Sequence, residues 1–367
     1  MKLFYFITKS ENGGAQTVLY ELLRIHAQRG DTVMVMAHGQ GWLAEKTRTL
    51  GFEYRENRSM QKTYNPFILL QALLVYRKVV TAFAPDIISC HSSFSGFIGR
   101  ISIFNKYPVV YTAHGWGFTN GTSFMRKCIA IAGEWIAAFF CKKIICVSDF
   151  DKTIAIRYHV APHHKIAVIH NGADVSLVKK IARNDQSVVI GFLARFTRPK
   201  RQDVLLEAYL KLPQSIRNRT RLTFIGGGND QQVFHDRVVC SGMADHISIS
   251  GELNREYALN LFASSDIAVL ISDWEGFPMT IIEALQLGIP VIANRVGGIA
   301  EAVDDTVGRL LPAQPDSNAL TQAIAELVED IPLRAKLAIE AQVRGMLFTT
   351  ERMARETFTL YASLLSQ

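Results

Sequence analysis

"DIAVLISDWEGFPMTIIEALQLGIPVIA", Asp266 to Ala293, decides the fold. It opens on an unbroken apolar run that ends near Ser272 and reads as a strand covered on both faces. A Gly-Phe-Pro turn follows. Pro278 suits the first turn of a helix, where its missing N–H costs nothing. "MTIIEALQLG" carries that helix to Gly288, a helix-ending residue, and "PVIA" is a second apolar run of strand length. Strand, helix and strand in so short a span form a crossover unit, which requires a parallel sheet.

The same alternation runs outward in both directions. Strand candidates fall at 2–8, 32–37, 86–90, 109–113, 143–148, 166–170, 188–193, 221–225, 247–250, 267–271 and 290–293, with helical patterns such as 15–29 and 202–211 between them. This predicts α/β architecture: two doubly wound Rossmann-like domains, which 367 residues accommodate. The boundary is placed after "VIHNGAD", giving domains at 1–174 and 175–348. Residues 349–367 read as one amphipathic helix with Met353, Phe358, Tyr361 and Leu364 available to dock. Ligands of such sheets bind beyond the carboxyl ends of the strands, so the expected site is an interdomain cleft.

Composition narrows the class. With 49% hydrophobic and 20% charged residues, the chain is an ordinary globular protein. Five irregularly spaced cysteines exclude a disulfide scaffold and a cysteine metal site, and imply reduced thiols in the cytoplasm. The apolar start "MKLFYFIT" is too short for a secretory segment. The longest apolar run, "CIAIAGEWIAAFFC" at 128–141, is broken by Glu134, falls short of the roughly 20 residues of a span, and reads as a buried helix. Lys and Arg outnumber Asp and Glu by 20 to 10 through His170, whereas the rest holds 20 against 23. A basic first half suits an anionic partner: a lipid surface, a phosphorylated substrate or nucleic acid.

The candidate site residues follow strands. Glu275 precedes the 279–287 helix and Glu283 lies within it. Between them the backbone N–H groups of Phe277, Met279 and Thr280, around Pro278, form a helix N-terminus that attracts phosphate. Carboxylates suit sugar and ribose hydroxyls, so the arrangement fits a nucleotide sugar: phosphates in the middle, hydroxylated rings at both ends. In "GFLARFTRPKRQD", Arg195 and Lys200 stand at a strand end, poised to neutralise a diphosphate, while Arg198 and Arg201 read as surface charge. Gly13-Gly14 and Gly226 in "TFIGGGND" allow close backbone approach to a ligand. The second cluster is no dinucleotide fingerprint, because Gln231 stands where the last glycine belongs, and this disfavours a nicotinamide dehydrogenase. In "VVYTAHGWGF", His114 ends a strand and Trp116 and Phe118 offer flat faces of the kind sugars pack against; His91 sits similarly. Asn171 follows the last strand of the first half. "DFD" at 149–151 matches a metal-binding D-x-D pattern, but helix capping explains it better. His159, His163, His164 and His170 are too irregular for a metal site.

Together these residues resemble retaining glycosyltransferases of family 4, which have the two-domain GT-B fold. The resemblance rests on Glu275-x7-Glu283, the Arg195/Lys200 pair, "GGAQ", "VIHNGAD" and "ICVSD", and covers nearly the whole chain. It implies a donor-binding second domain, an acceptor-binding first domain, and a C-terminal helix crossing back to the first. Arg195 and Lys200 would grip the diphosphate, Gly14 would give it room, Glu283 would bind ribose, and Glu275 would bind the transferred sugar, aided by backbone N–H groups from Gly276 to Thr280. His114 would touch the sugar or the leaving phosphate, with His91, Trp116 and Asn171 on the acceptor side. No cofactor and no metal are expected; the donor is UDP-linked, and transfer retains the anomeric configuration. "HGWGFT" is similar to enzymes that build bacterial surface polysaccharide (lipopolysaccharide, O-antigen, capsule) on lipid carriers, which implies a cytoplasmic protein peripheral to the inner face of the membrane. Two rivals stay open: a nucleotide-sugar epimerase or hydrolase on the same fold, and a non-catalytic basic membrane- or nucleic-acid-binding protein. The acidic second half argues against nucleic acid.

Overall fold

The computed structural model describes residues 1–60, 65–103, 105–119, 122–182 and 186–366. Its strands are β1 (Lys2–Lys9), β2 (Thr32–His38), β3 (Glu53–Glu56), β4 (Ile87–His91), β5 (Val109–Ala113), β6 (Lys143–Cys146), β7 (Ile166–Val168), β8 (Val188–Leu193), β9 (Thr220–Ile225), β10 (Ile247–Ile249), β11 (Ile267–Leu270), β12 (Val291–Asn294) and β13 (Gly308–Leu311). The helices are α1 (Gly14–Arg29), α2 (Trp42–Thr49), α3 (Pro66–Phe83), α4 (Ser93–Ser102), α5 (Phe124–Ala138), α6 (Asp149–Arg157), α7 (Gln202–Leu210), α8 (Gln214–Arg217), α9 (Gln231–Cys240), α10 (Arg255–Phe262), α11 (Met279–Gln286), α12 (Ile299–Ala302), α13 (Ser317–Glu329), α14 (Ile331–Gly345) and α15 (Thr350–Leu365). They form two compact units, Met1–Gly172 with Thr350–Gln367, and Ala173–Thr349.

The first unit holds a parallel sheet in the order β3-β2-β1-β4-β5-β6-β7. Its strand order reverses at β1 and β4, whose neighbours diverge and leave a crevice at their carboxyl ends. Every residue of β4 and β5 is buried, as strands covered by helices on both faces must be. The last helix, α15, belongs to this core. Met353, Phe358 and Tyr361 are buried, while Leu364 is only partly covered. The Thr350 hydroxyl donates to the buried Glu21 carboxylate at 3.2 Å, and the Phe358 ring lies 4.3 Å from the His26 ring.

The second unit holds a parallel sheet in the order β10-β9-β8-β11-β12-β13. The reversal falls between β8 and β11, paired through Ile190↔Ile267 and Gly191↔Ala268. The loops after these two strands carry Arg195, Lys200 and Glu275.

Two features depart from the sequence expectation. β3 and β13 are edge strands, and an edge strand needs no continuous apolar run; "EYRE" buries only Tyr54. The run at 128–141 is a helix, but not a buried one. α5 turns Glu134, Ala137 and Ala138 inward and leaves Met125, Ile129, Ile136 and Phe139 more than half exposed. The cause is Glu134, which pairs at 2.8 Å with the fully buried Arg100. That pair sets the rotation of α5 about its own axis.

Candidate active site

In the second unit, the loop after β8 meets the loop after β11. Lys200 is bridged to Ser272, and its ammonium donates to the Glu275 carboxylate. Both side chains are largely withdrawn from solvent, at 19% and 11% exposure. Arg201, expected as plain surface charge, instead ties the two loops: its guanidinium donates to Asp273 at 3.1 Å and to Asp203 at 2.9 Å. Arg195 differs from both. Its side chain is exposed, and among the described residues no hydrogen bond or ion pair engages its guanidinium.

Helix α11 starts directly after this loop. The N–H groups of Ile281 and Ile282 bond back to the Pro278 carbonyl, so Met279 and Thr280 lie among the first-turn donors that have no acceptor within the helix. Pro278 is the N-cap rather than the first helical residue. The Thr280 hydroxyl donates to the Leu193 carbonyl at 3.1 Å, tying the helix start to the end of β8. Glu283, one turn on, is 1% exposed and accepts from Arg255 at 2.5 Å. Phe277 packs on Phe348, with ring centroids 5.1 Å apart.

Three positioning residues escaped the sequence reading. Arg255 opens α10 and gives Glu283 its counter-charge. Asn294, 1% exposed at the end of β12, accepts from the Ser272 N–H at 3.0 Å and donates to the Ser272 carbonyl at 2.7 Å, stapling the start of the Glu275 loop. Gly297 has φ +57, and a Cβ there would stand 1.9 Å from the Glu275 carbonyl oxygen, so only glycine admits this loop. "NRVGG" carried that signal. Gly226 needs a different reason from the one expected: its φ is +135 and a Cβ would come within 2.4 Å of the Ala194 carbonyl. Its close approach is to the chain's own β8 loop. One cavity of this unit, about 350 Å³, opens around Gly288, Ile289 and Pro290, before β12 and away from these loops, and another, about 270 Å³, is lined by Phe196, Thr197, Arg198, Lys200 and Arg201.

In the first unit, Gly13 and Gly14 follow β1. Gly13 is extended and caps α1, and a Cβ at Gly14 would meet nothing within 4 Å, which leaves open space beside it. His114 follows β5 and is half-buried, and its Nε2 lies 2.9 Å from His91 Nδ1. His91 Nε2 lies 3.1 Å from the Ser89 hydroxyl, which accepts from the Tyr361 hydroxyl at 2.8 Å. The assignment of protons that satisfies this chain runs from Tyr361 through Ser89 to His91, then from His91 Nδ1–H to His114 Nε2. It leaves His114 Nδ1–H as a free donor. Burial pulls the half-buried His114 down to about 4. Burial, reinforced by His114, holds His91 well below the usual range. Both rings are therefore neutral at pH 7.

The acceptor-side expectations need correction. Both ring nitrogens of the buried His91 are engaged, Nε2 by Ser89 and Nδ1 by His114, so it has none left for an acceptor; it orients His114. Trp116 is 3% exposed, stacks on Phe118 at 5.3 Å and donates its indole N–H to the Asp151 carbonyl at 2.8 Å; its flat face is spent on the core. Asn171, at 5% exposure, carries no such contradiction. The 149–151 pattern opens α6, but the cap is Ser148, whose hydroxyl accepts from the Asp151 N–H at 3.0 Å.

The Glycosyltransferase Family 4 model matches residues 12–177, and the Glycosyl transferases group 1 model matches residues 176–344. The O-antigen biosynthesis glycosyltransferase WbnH of Escherichia coli is 26% identical over 301 residues, 82% of this chain and 83% of that one. The UDP-Gal:alpha-D-GlcNAc-diphosphoundecaprenol alpha-1,3-galactosyltransferase of Escherichia coli is 27% identical over 299 residues, 75% of this chain and 73% of that one. Among solved structures, Anabaena HepE in complex with UDP and glucose has the same fold, with a TM-score of 0.84 and 21% identity over 99% of this chain and 100% of that one.

Proposed function

Because the chain belongs to glycosyltransferase family 4 and has the GT-B fold, we propose that it moves a hexose or N-acetylhexosamine from a UDP-sugar to a lipid-linked or glycan acceptor in bacterial surface polysaccharide assembly. The observation that carries this reading is the group at the ends of β8 and β11: the unengaged cation Arg195, the Lys200–Glu275 pair and the start of α11. The names of the relatives support the pathway, the donor base and a diphosphate-lipid acceptor.

The residues divide the work. Arg195 and Lys200 neutralise the diphosphate as negative charge builds on it. Lys200 has three N–H donors, so it serves a phosphoryl oxygen while keeping Glu275 oriented. Glu275 accepts from hydroxyls of the transferred sugar. Glu283 gives one oxygen to Arg255 and the other to ribose. His114, neutral and with Nδ1–H free, donates to a sugar hydroxyl or to the leaving phosphate without adding charge. Arg195, Lys200 and the helix N-terminus supply the electrostatic stabilisation, so the reaction needs no metal. The leaving diphosphate takes the acceptor's proton on the same face, and configuration is retained. No helix among the described residues is long and apolar enough to cross a membrane, and the chain works at the inner face of the cytoplasmic membrane through peripheral contact.

The test is product analysis with UDP-sugars and a diphosphoundecaprenol-linked sugar, with and without EDTA. The expected result is a lengthened lipid-linked glycan with an axial-to-axial anomeric outcome by NMR, unchanged by chelation. An altered sugar or free UDP formed equally without acceptor would move the reading to an epimerase or hydrolase.

A further inference from the structure

Helix α5 is amphipathic in the wrong sense for a water-facing helix. At about 100° per residue, Met125, Ile129, Ala132, Ile136 and Phe139 all fall within about 40° of the point opposite Glu134. Glu134 is buried, and the opposite stripe faces outward: Met125 is 74% exposed, Ile129 64%, Ile136 54% and Phe139 76%. Phe124, at 82%, and Trp135, at 47%, flank it. A surface helix ordinarily points its apolar stripe at the core and its charges at water. Here the Arg100–Glu134 pair holds the charge inside and turns the apolar stripe out.

Helix α3 extends this surface. It packs on α4, as α5 does, and exposes Phe67 at 81%, Leu70 at 54% and Leu74 at 55%. The chain segment that carries the patch is strongly basic. Residues 66–148 contain eight Lys and Arg and two Asp and Glu. Removing the buried Arg100–Glu134 pair leaves seven cations, Arg77, Lys78, Lys106, Arg126, Lys127, Lys142 and Lys143, against Asp86 alone. An exposed apolar stripe edged by Lys and Arg matches an anionic lipid surface: the stripe enters the acyl boundary and the cations meet the headgroups. A self-associating protein interface would not need so uniform a basic rim, since two copies would set cation against cation. At 15 residues α5 is about 22 Å long, short of the roughly 30 Å hydrocarbon core, so it lies in the interface plane rather than across it.

We propose that the outer faces of α5 and α3 form the surface by which this chain docks on an anionic phospholipid bilayer. The docking surface extends the peripheral-membrane part of the proposed function, and its test needs neither donor nor acceptor. Failure of vesicle binding and failure of transfer are therefore read separately.

The full chain is floated with vesicles of phosphatidylglycerol and phosphatidylethanolamine, and with vesicles of phosphatidylcholine alone. The expected result is recovery with the anionic vesicles at least tenfold above that with phosphatidylcholine, falling as salt is raised. Combined Ile129→Ser, Ile136→Ser and Phe139→Ser should lower recovery at least tenfold with an unchanged thermal midpoint, since all three side chains are exposed. Arg126→Glu with Lys142→Glu should do the same without touching the stripe. Brominated lipid should quench Trp135 emission in the wild type, and Trp135→Phe should remove that quenching. The proposal is overturned if the wild type stays with the unbound fraction, or if the serine variant floats as well as the wild type. It is equally overturned by a concentration-dependent dimer that the serine variant breaks while vesicle recovery is unaffected, because the stripe is then an interface between copies.

Discussion

The two units share a doubly wound design and handle charge in opposite ways. In the first unit burial holds the candidate groups His91 and His114 neutral, and the buried ion pair Arg100–Glu134 is sealed beneath an apolar surface. In the second unit the ion pairs Lys200–Glu275 and Arg201–Asp273 join the loops after β8 and β11, and Arg255–Glu283 joins α10 to α11. The difference shows what each crevice is suited to hold. Under the proposed function, paired charges exchange partners with a diphosphate and its hydroxylated flanks. Neutral histidines can donate a hydrogen bond to a hydroxyl without attracting a second anion.

The largest effect should come from breaking the sealed pair. Glu134→Ala leaves the fully buried Arg100 without its counter-charge and should cost about 3–5 kcal/mol, read as a lower urea midpoint for the first unit. A midpoint close to wild type would show that α5 rotates to relieve the charge, and the contrast between the units would weaken. Glu275→Ala acts on the other side of the comparison. It should lower kcat at least tenfold, since each lost hydrogen bond to a charged group is worth about 1.5–3 kcal/mol, with the thermal midpoint kept within a few degrees. Near-native kinetics in that variant would remove Glu275 from the site. His91→Ala frees His114 to turn and to change tautomer. It should lower kcat several-fold to about tenfold and leave the donor KM unchanged, because His91 acts through His114; an unchanged kcat would reduce the pair to a packing device.

The smallest effect is on pH. His26 is lowered to about 4, chiefly by burial, which the Asp31 carboxylate only partly offsets. An unfolded histidine titrates near 6.5, so below that pH the unfolded state binds more protons and the fold loses stability as pH falls towards 4. Between pH 7 and 5.5 the loss from His26 should be about 1 kcal/mol. His26→Phe should flatten that slope. An equally steep slope in the variant would place the titration elsewhere.

Parts of this molecule are legible in one dimension because they depend on local pattern. Unbroken apolar runs mark central parallel strands, and their alternation with helices specifies doubly wound sheets. The strand-end positions of Arg195, Lys200, Glu275 and His114 follow from where those runs stop. Edge strands were less visible: β3 pairs on one side only and carries polar residues.

What tertiary structure decided is who partners whom. Trp116 and His91 look like ligand contacts in the chain, and packing sends both inward. Arg255, Asn294 and Gly297 look incidental, yet the crossover topology delivers them to Glu283, Ser272 and Glu275. The run at 128–141 has the composition of a buried helix, and Arg100, more than thirty residues away, turns that apolar side outward by claiming Glu134. Sequence alone determines hydrophobic periodicity and the kinds of charge available, because these are properties of neighbours along the chain. Which charge is buried, paired or left to solvent depends on contacts between residues far apart, and only the folded chain brings those together.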